Sequence, residues 1–96
     1  MQLRLNSEVR QAQERLSAAR SEVQTLVVDV LPGAQSAYDV ATKGFELGKF
    51  NFLDVLDAQR TLFDAKSQHL RAVAETHRSS AEIAHLLASP VSTSQP

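Results

Sequence analysis

Gly48 to Asp54 constrains this chain more than any other stretch, because within it one helix must end and another begin. Gly48 supplies the left-handed backbone conformation that closes a helix, where a residue with a Cβ would cost about 1 kcal/mol. Asn51 is a favoured N-cap. Asp54, three places on, can reach back toward the cap and meet the positive end of the helix dipole. The pair is a variant of the capping box, with Asn and Asp in place of Ser/Thr and Glu. Phe50 and Val55 stand at the N′ and N4 positions of a hydrophobic staple. The chain is therefore expected to turn sharply here and run back along itself.

Periodicity on both sides of the turn supports two long helical arms. In the first, Leu5, Val9, Ala12, Leu16, Ala19, Val23, Leu26 and Val30 recur at spacings of four and three, and Gly33, Ala37, Val40, Gly44 and Leu47 extend the series in phase. Pro32 interrupts this arm. A proline in a helix interior loses a hydrogen bond and crowds the preceding turn, at a cost of about 3 kcal/mol. Because the seam keeps its register across the proline, one helix kinked near Pro32 is expected rather than two helices. A second apolar line starts there: Leu31, Ala34, Tyr38, Ala41 and Phe45.

The second arm carries two partial seams. One is Phe52, Leu56, Phe63, Leu70, Val73, Ala84 and Leu87; the other is Val55, Ala58, Leu62, Ala65, Ala72, Ile83 and Leu86. Polar residues interrupt both, His69, Thr76 and Ser79 in the second. Two seams suit a helix flanked on both sides by others. The fold class expected is all-α, a long antiparallel coiled-coil hairpin over 1–88. Arm one covers about 3–47, the turn 48–51 and arm two about 52–88, with a disordered polar tail over 89–96.

Composition narrows the function classes. With 96 residues and no enclosed interior, a two-armed helical object buries little core alone, so it is expected to self-associate or to belong to something larger. The formal net charge of −1, with both signs interspersed, is no footprint for nucleic acid. There is no cysteine, hence no disulfide framework and no thiolate metal site. No apolar run is long enough to span a bilayer as a helix, and no stretch reads as a signal peptide.

His69, His77 and His85 stand eight apart, about 12 Å per step along a helix, whereas ligands to one zinc ion on a helix stand four apart. No metal site is expected from them. Nor is there a Ser/His/Asp arrangement, a phosphate loop or a Gly-rich fingerprint, so neither an enzyme activity nor a cofactor is expected. Asp54 and Asp57 share a helix face but lack a pocket. The cap accounts for Asp54. Asp57 is either a surface partner for Arg60 or Lys49 or a residue acting between subunits. Phe50 and Phe52, with Lys49 beside them, put aromatic surface on a hairpin tip, which suits docking against another protein.

The run Gly44-Phe45-Glu46-Leu47-Gly48-Lys49-Phe50-Asn51-Phe52-Leu53-Asp54-Val55-Leu56-Asp57-Ala58-Gln59-Arg60-Thr61-Leu62-Phe63 resembles the tip hairpin of the TolC-type outer-membrane efflux proteins, in particular the CzcC-like branch that serves heavy-metal efflux. The matching pattern is an aromatic followed by G-x-x-x-x-L-D-V-L-D-A-Q-R-x-L. Leu31-Pro32 with Ala34 and Ala37 adds to it, and the likeness extends over roughly Val23 to Leu87. It implies a C-terminal periplasmic excerpt of an outer-membrane protein. Such proteins are trimeric ducts that an adaptor, or membrane fusion, protein in the periplasm joins to an inner-membrane transporter. The implied docking tip comprises Phe45, Gly48, Lys49, Phe50, Asn51 and Phe52, with Asp57 facing the lumen at the constriction. Some relatives carry a Tyr and an Arg in the gate at the positions of Phe45 and Phe50. This chain keeps only the acidic member, Asp57, so closure by packed aromatics would replace a polar network. The Leu86-Leu87-Ala88 end lacks a glycine common there.

Two other readings stand beside the duct: a hairpin of the periplasmic adaptor itself, and a cytosolic coiled-coil interaction module. Adaptor tips usually show an R-L-x-x-L pattern with a Ser after the glycine, and Gly48-Lys49-Phe50-Asn51 with Leu53-Asp54-Val55-Leu56 fits the duct better.

Overall fold

The computed structural model describes residues 2–93, and the side chains of residues 6–88. Helix α1 spans Gln2–Thr25, a π-helical turn spans Leu26–Val30, and α2 follows without a break over Leu31–Glu46. After the turn, α3 runs over Phe52–Thr93. No strand occurs among the described residues. The two arms lie antiparallel in a rod of 73 × 18 × 14 Å, with α3 packed along both α1 and α2.

One face of each arm is buried, and small side chains dominate both. Ala12, Ala19, Leu26, Ala34 and Ala41 face Val55, Leu62, Ala65 and Ala72. Ser79 continues the α3 line and is 1% exposed; its hydroxyl donates to Glu75 Oε2 at 3.1 Å. Of the nine buried apolar residues described, six are alanines. Alanine seams let helix axes approach closely. They also bury little area, at about 0.8 kcal/mol per methylene-sized group. The bulkiest part of the contact is the cluster of Ala34, Leu62 and Ala65, against which Leu31 and Tyr38 pack. Far from the turn, Arg15 pairs across the arms with Glu82, both about half exposed, a bond worth at most about 1 kcal/mol.

The expected register of the first arm is corrected here. The seam does not pass in phase through Pro32. Buried positions run Ala12, Ala19, Leu26 and then Ala34 and Ala41, so one extra residue enters between Leu26 and Ala34. Val30, Gly33, Ala37, Val40 and Leu47, expected on the inner face, are exposed, while Leu31 and Tyr38 from the second line pack inward; of the expected continuation only Gly44 is buried. The π turn is where the extra residue is absorbed. The Leu31 amide donates to the Leu26 carbonyl, five residues back. A wider turn sets back the carbonyl that a proline ring would strike in regular α-helix and leaves Pro32, second in α2, without a clash. The arm thus remains one continuous helix with an irregularity beside Pro32.

On α3 the inner face is the alanine-rich seam. The other seam, with Phe52, Leu56, Phe63, Leu70 and Leu87, is exposed. The expected end of this arm is also corrected. The helix continues to Thr93 instead of stopping at Ala88. The rest of the expected tail, 94–96, lies outside the described residues.

Candidate functional site

The tip is assembled from two helix ends that satisfy each other's loose backbone groups. At the end of α2, Gly48 takes φ +75°, and its amide donates to the Phe45 carbonyl at 3.0 Å. The Lys49 amide reaches the Gly44 carbonyl at 2.7 Å. These two bonds form a Schellman closure, in which carbonyls that the helix cannot pair are taken up by the turn. The Phe50 amide also donates to Gly44, at 3.2 Å. At the start of α3, the Asn51 amide donates to Asp54 Oδ2 at 3.1 Å and the Asp54 amide to Asn51 Oδ1 at 3.0 Å. This reciprocal pair is a capping box, and the Asp54 carboxylate sits where the helix dipole favours it. With both ends pinned, little conformational freedom remains in the five residues between them.

Apolar surface crowns this turn. The rings of Phe45 and Phe52 meet across it with centroids 5.6 Å apart and planes tilted by 54°. Leu47 and Leu53 stand beside them, and Leu53 is 66% exposed. Lys49 is exposed at the apex. Phe50 behaves differently from its neighbours. Its ring folds back over Gly44, where a Cβ would lie only 2.2 Å from a ring carbon. It also walls a shallow groove with Ser36, Ala37, Val40, Ala41 and Asp54.

Asp57 is exposed one turn into α3, and its backbone carbonyl accepts from the Thr61 hydroxyl at 3.1 Å. No ion pair joins it to Arg60 or Lys49 among the described residues. His69 is partly buried on the inner face of α3, while His77 and His85 are exposed. Among the described residues, no helix is long and apolar enough to cross a membrane.

The structure therefore gathers Phe45, Gly48, Lys49, Phe50, Asn51 and Phe52 at one end of the rod, with Asp57 just behind. Sequence reasoning missed Leu47 and Leu53 as part of the apolar crown, and Gly44 as the seat of Phe50. An unexplained glycine inside a helical pattern was the available signal for the last. The arrangement offers a rigid, apolar, end-on surface.

Comparison with known proteins bears on what such a surface serves. The family model described as "Outer membrane efflux protein" matches residues 1–89. Among curated proteins, the cobalt-zinc-cadmium resistance protein CzcC of Cupriavidus metallidurans is 50% identical over 76 residues, which are 79% of this chain and 18% of that protein. The chain thus spans less than a fifth of the length of this relative. No solved structure matches it. With the first arm, the capped turn and most of the second arm inside the matched residues, the chain belongs to the outer membrane efflux protein family.

Proposed function

We propose that this chain is the periplasmic helical hairpin of an outer-membrane efflux duct in a tripartite heavy-metal export pump. Its tip docks a periplasmic adaptor protein, which links the duct to an inner-membrane transporter. The parent protein is a homotrimer in the outer membrane, and this segment lies in the periplasm. The observation that carries the reading is the hairpin's exposed apolar surface, which runs along one side and over the tip. It comprises the seam of Phe52, Leu56, Phe63 and Leu70 along the side of α3 and the pinned crown of Phe45, Leu47, Phe52 and Leu53 at its end. A lateral seam suits neighbouring helices of a barrel, and a rigid end suits docking because little entropy is lost on binding. Family membership and likeness to a cobalt-zinc-cadmium resistance protein support export of divalent metal ions as the task. Asp57 faces the lumen in this reading. Three symmetry-related carboxylates there would repel one another and attract cations.

Complementation of an efflux-deficient host by the parent protein tests it. The native protein should restore growth on cobalt, zinc or cadmium. Leu53→Asp should abolish that tolerance while trimers persist on chemical cross-linking, and Asp57→Asn should alter single-channel conductance in bilayers. Full tolerance from Leu53→Asp would remove the tip from the docking surface. Unchanged conductance would remove Asp57 from the lumen.

A further inference from the structure

Gly44 is placed where a side chain would displace the Phe50 ring. It is buried near the end of α2, and its backbone does not take the left-handed conformation that demands glycine. The constraint is instead the Phe50 ring. A Cβ on Gly44 would stand 2.2, 2.5 and 2.9 Å from three of its carbons. The same residue's carbonyl accepts the amides of both Lys49 and Phe50. One residue thus holds the turn twice, by a doubly engaged carbonyl and by an open face that the ring fills. Gly48, in contrast, has open space around it and is fixed by its φ alone.

We propose that Gly44 is the positioning residue of the tip. By seating Phe50 it fixes where that ring lies, so the surface presented to the adaptor is Phe45, Leu47, Phe52 and Leu53 with the outer face of Phe50. This rests on the docking reading above for the identity of the partner, but the seat itself does not. Phe50 then rests one ring face on Gly44 and leaves the rest of the ring, 43% exposed, at the tip surface. A ring that swung outward would uncover the groove along Ser36, Ala37 and Val40 and free the turn from α2.

The sign of one substitution separates this from an ordinary helical glycine. Alanine is the better helix residue, so Gly44→Ala should strengthen the end of α2 unless the ring occupies the site. Four forms of the chain decide it: native, Gly44→Ala, Phe50→Ala and the double variant. Amide hydrogen exchange is measured at Lys49 and Phe50 (at position 50 in every form), and capture is measured with the purified periplasmic adaptor of the source organism's metal-efflux system. Gly44→Ala should speed exchange at both amides at least tenfold in the native background, and should slow it or leave it unchanged in the Phe50→Ala background. Adaptor capture should fall with Gly44→Ala and recover in the double variant to the level of Phe50→Ala. Slower or unchanged exchange for Gly44→Ala alone would overturn the seat. Undiminished capture by Gly44→Ala, despite faster exchange at both amides, would overturn the positioning role of Gly44 in docking. If the native chain captures no adaptor, the docking reading and its partner face fall together, while the exchange cycle still decides the seat.

Discussion

Replacing Leu62 with alanine should lower the stability of the monomeric hairpin, at concentrations below self-association, by about 3 kcal/mol, whereas the same change at the adjacent Phe63 should cost less than about 0.5 kcal/mol. The contrast follows from one step along α3. Leu62 is 8% exposed and forms the centre of the cluster with Ala34 and Ala65; Phe63 is 70% exposed on the opposite seam. A core made mostly of alanines has few large groups to lose, so emptying the Leu62 site removes much of what holds α2 to α3. Thermal unfolding followed by circular dichroism reads the difference as a drop in Tm on the order of 15 °C for Leu62→Ala. Phe63→Ala should show itself elsewhere. Its seam is apolar and uncovered, so the native chain should self-associate at micromolar concentration as an antiparallel four-helix assembly, and Phe63→Ala should shift sedimentation toward the monomer. A native chain that sediments as a stable helical monomer would show that this seam is not a packing face.

The second large effect concerns the π turn. Deleting Val28 should destabilise the chain by about 3 kcal/mol, and adding Pro32→Ala to the deletion should recover nearly all of it. Ala12, Ala19 and Leu26 follow one another at intervals of seven, but Leu26 and Ala34 are eight apart. The deletion restores the heptad, so the inner seam of α2 remains inner and no apolar contact is given up. What is lost is the wide turn, and Pro32 is then forced into regular α-helix against the carbonyl four residues back. Removing the proline removes that conflict. Melting curves of the deletion and the double variant test the assignment. A well-tolerated deletion with Pro32 present would mean that the turn does not exist to accommodate the proline. A double variant as unstable as the deletion would mean that the register account is wrong.

Local chemistry was the most legible part of this fold. Gly48 needs its φ, and Asn51 and Asp54 need only each other, so the turn could be located from seven residues without knowledge of the arms. Continuity of the first arm through Pro32 was also legible, but its register was not. A periodic template has no place for an inserted residue, and the seam that seemed to continue through Val30 and Val40 runs along the outside. The clue was the second apolar line beginning at Leu31, beside the proline. On α3, periodicity showed two seams without ranking them. Bulk would have suggested the one with Phe63 and Leu70 as the core. Close approach of two helices selects the small one instead, with Ala65, Ala72 and Ser79, and leaves the large side chains outward. At the tip, Phe50 and Phe52 were both expected on the docking surface. Only the ring's position over Gly44 separates them, and that depends on the closed turn as a whole.

Site-specific photocross-linking in living cells tests the central claim most directly. A photoreactive residue replaces Leu53 at the crown in the parent protein, or Gln13 at the far end of the rod, and irradiation follows under metal stress. The account predicts a cross-link from position 53 to the periplasmic adaptor and none from position 13. A position 53 that links only to other copies of the duct, or adaptor captured equally from position 13, would contradict end-on docking by the tip.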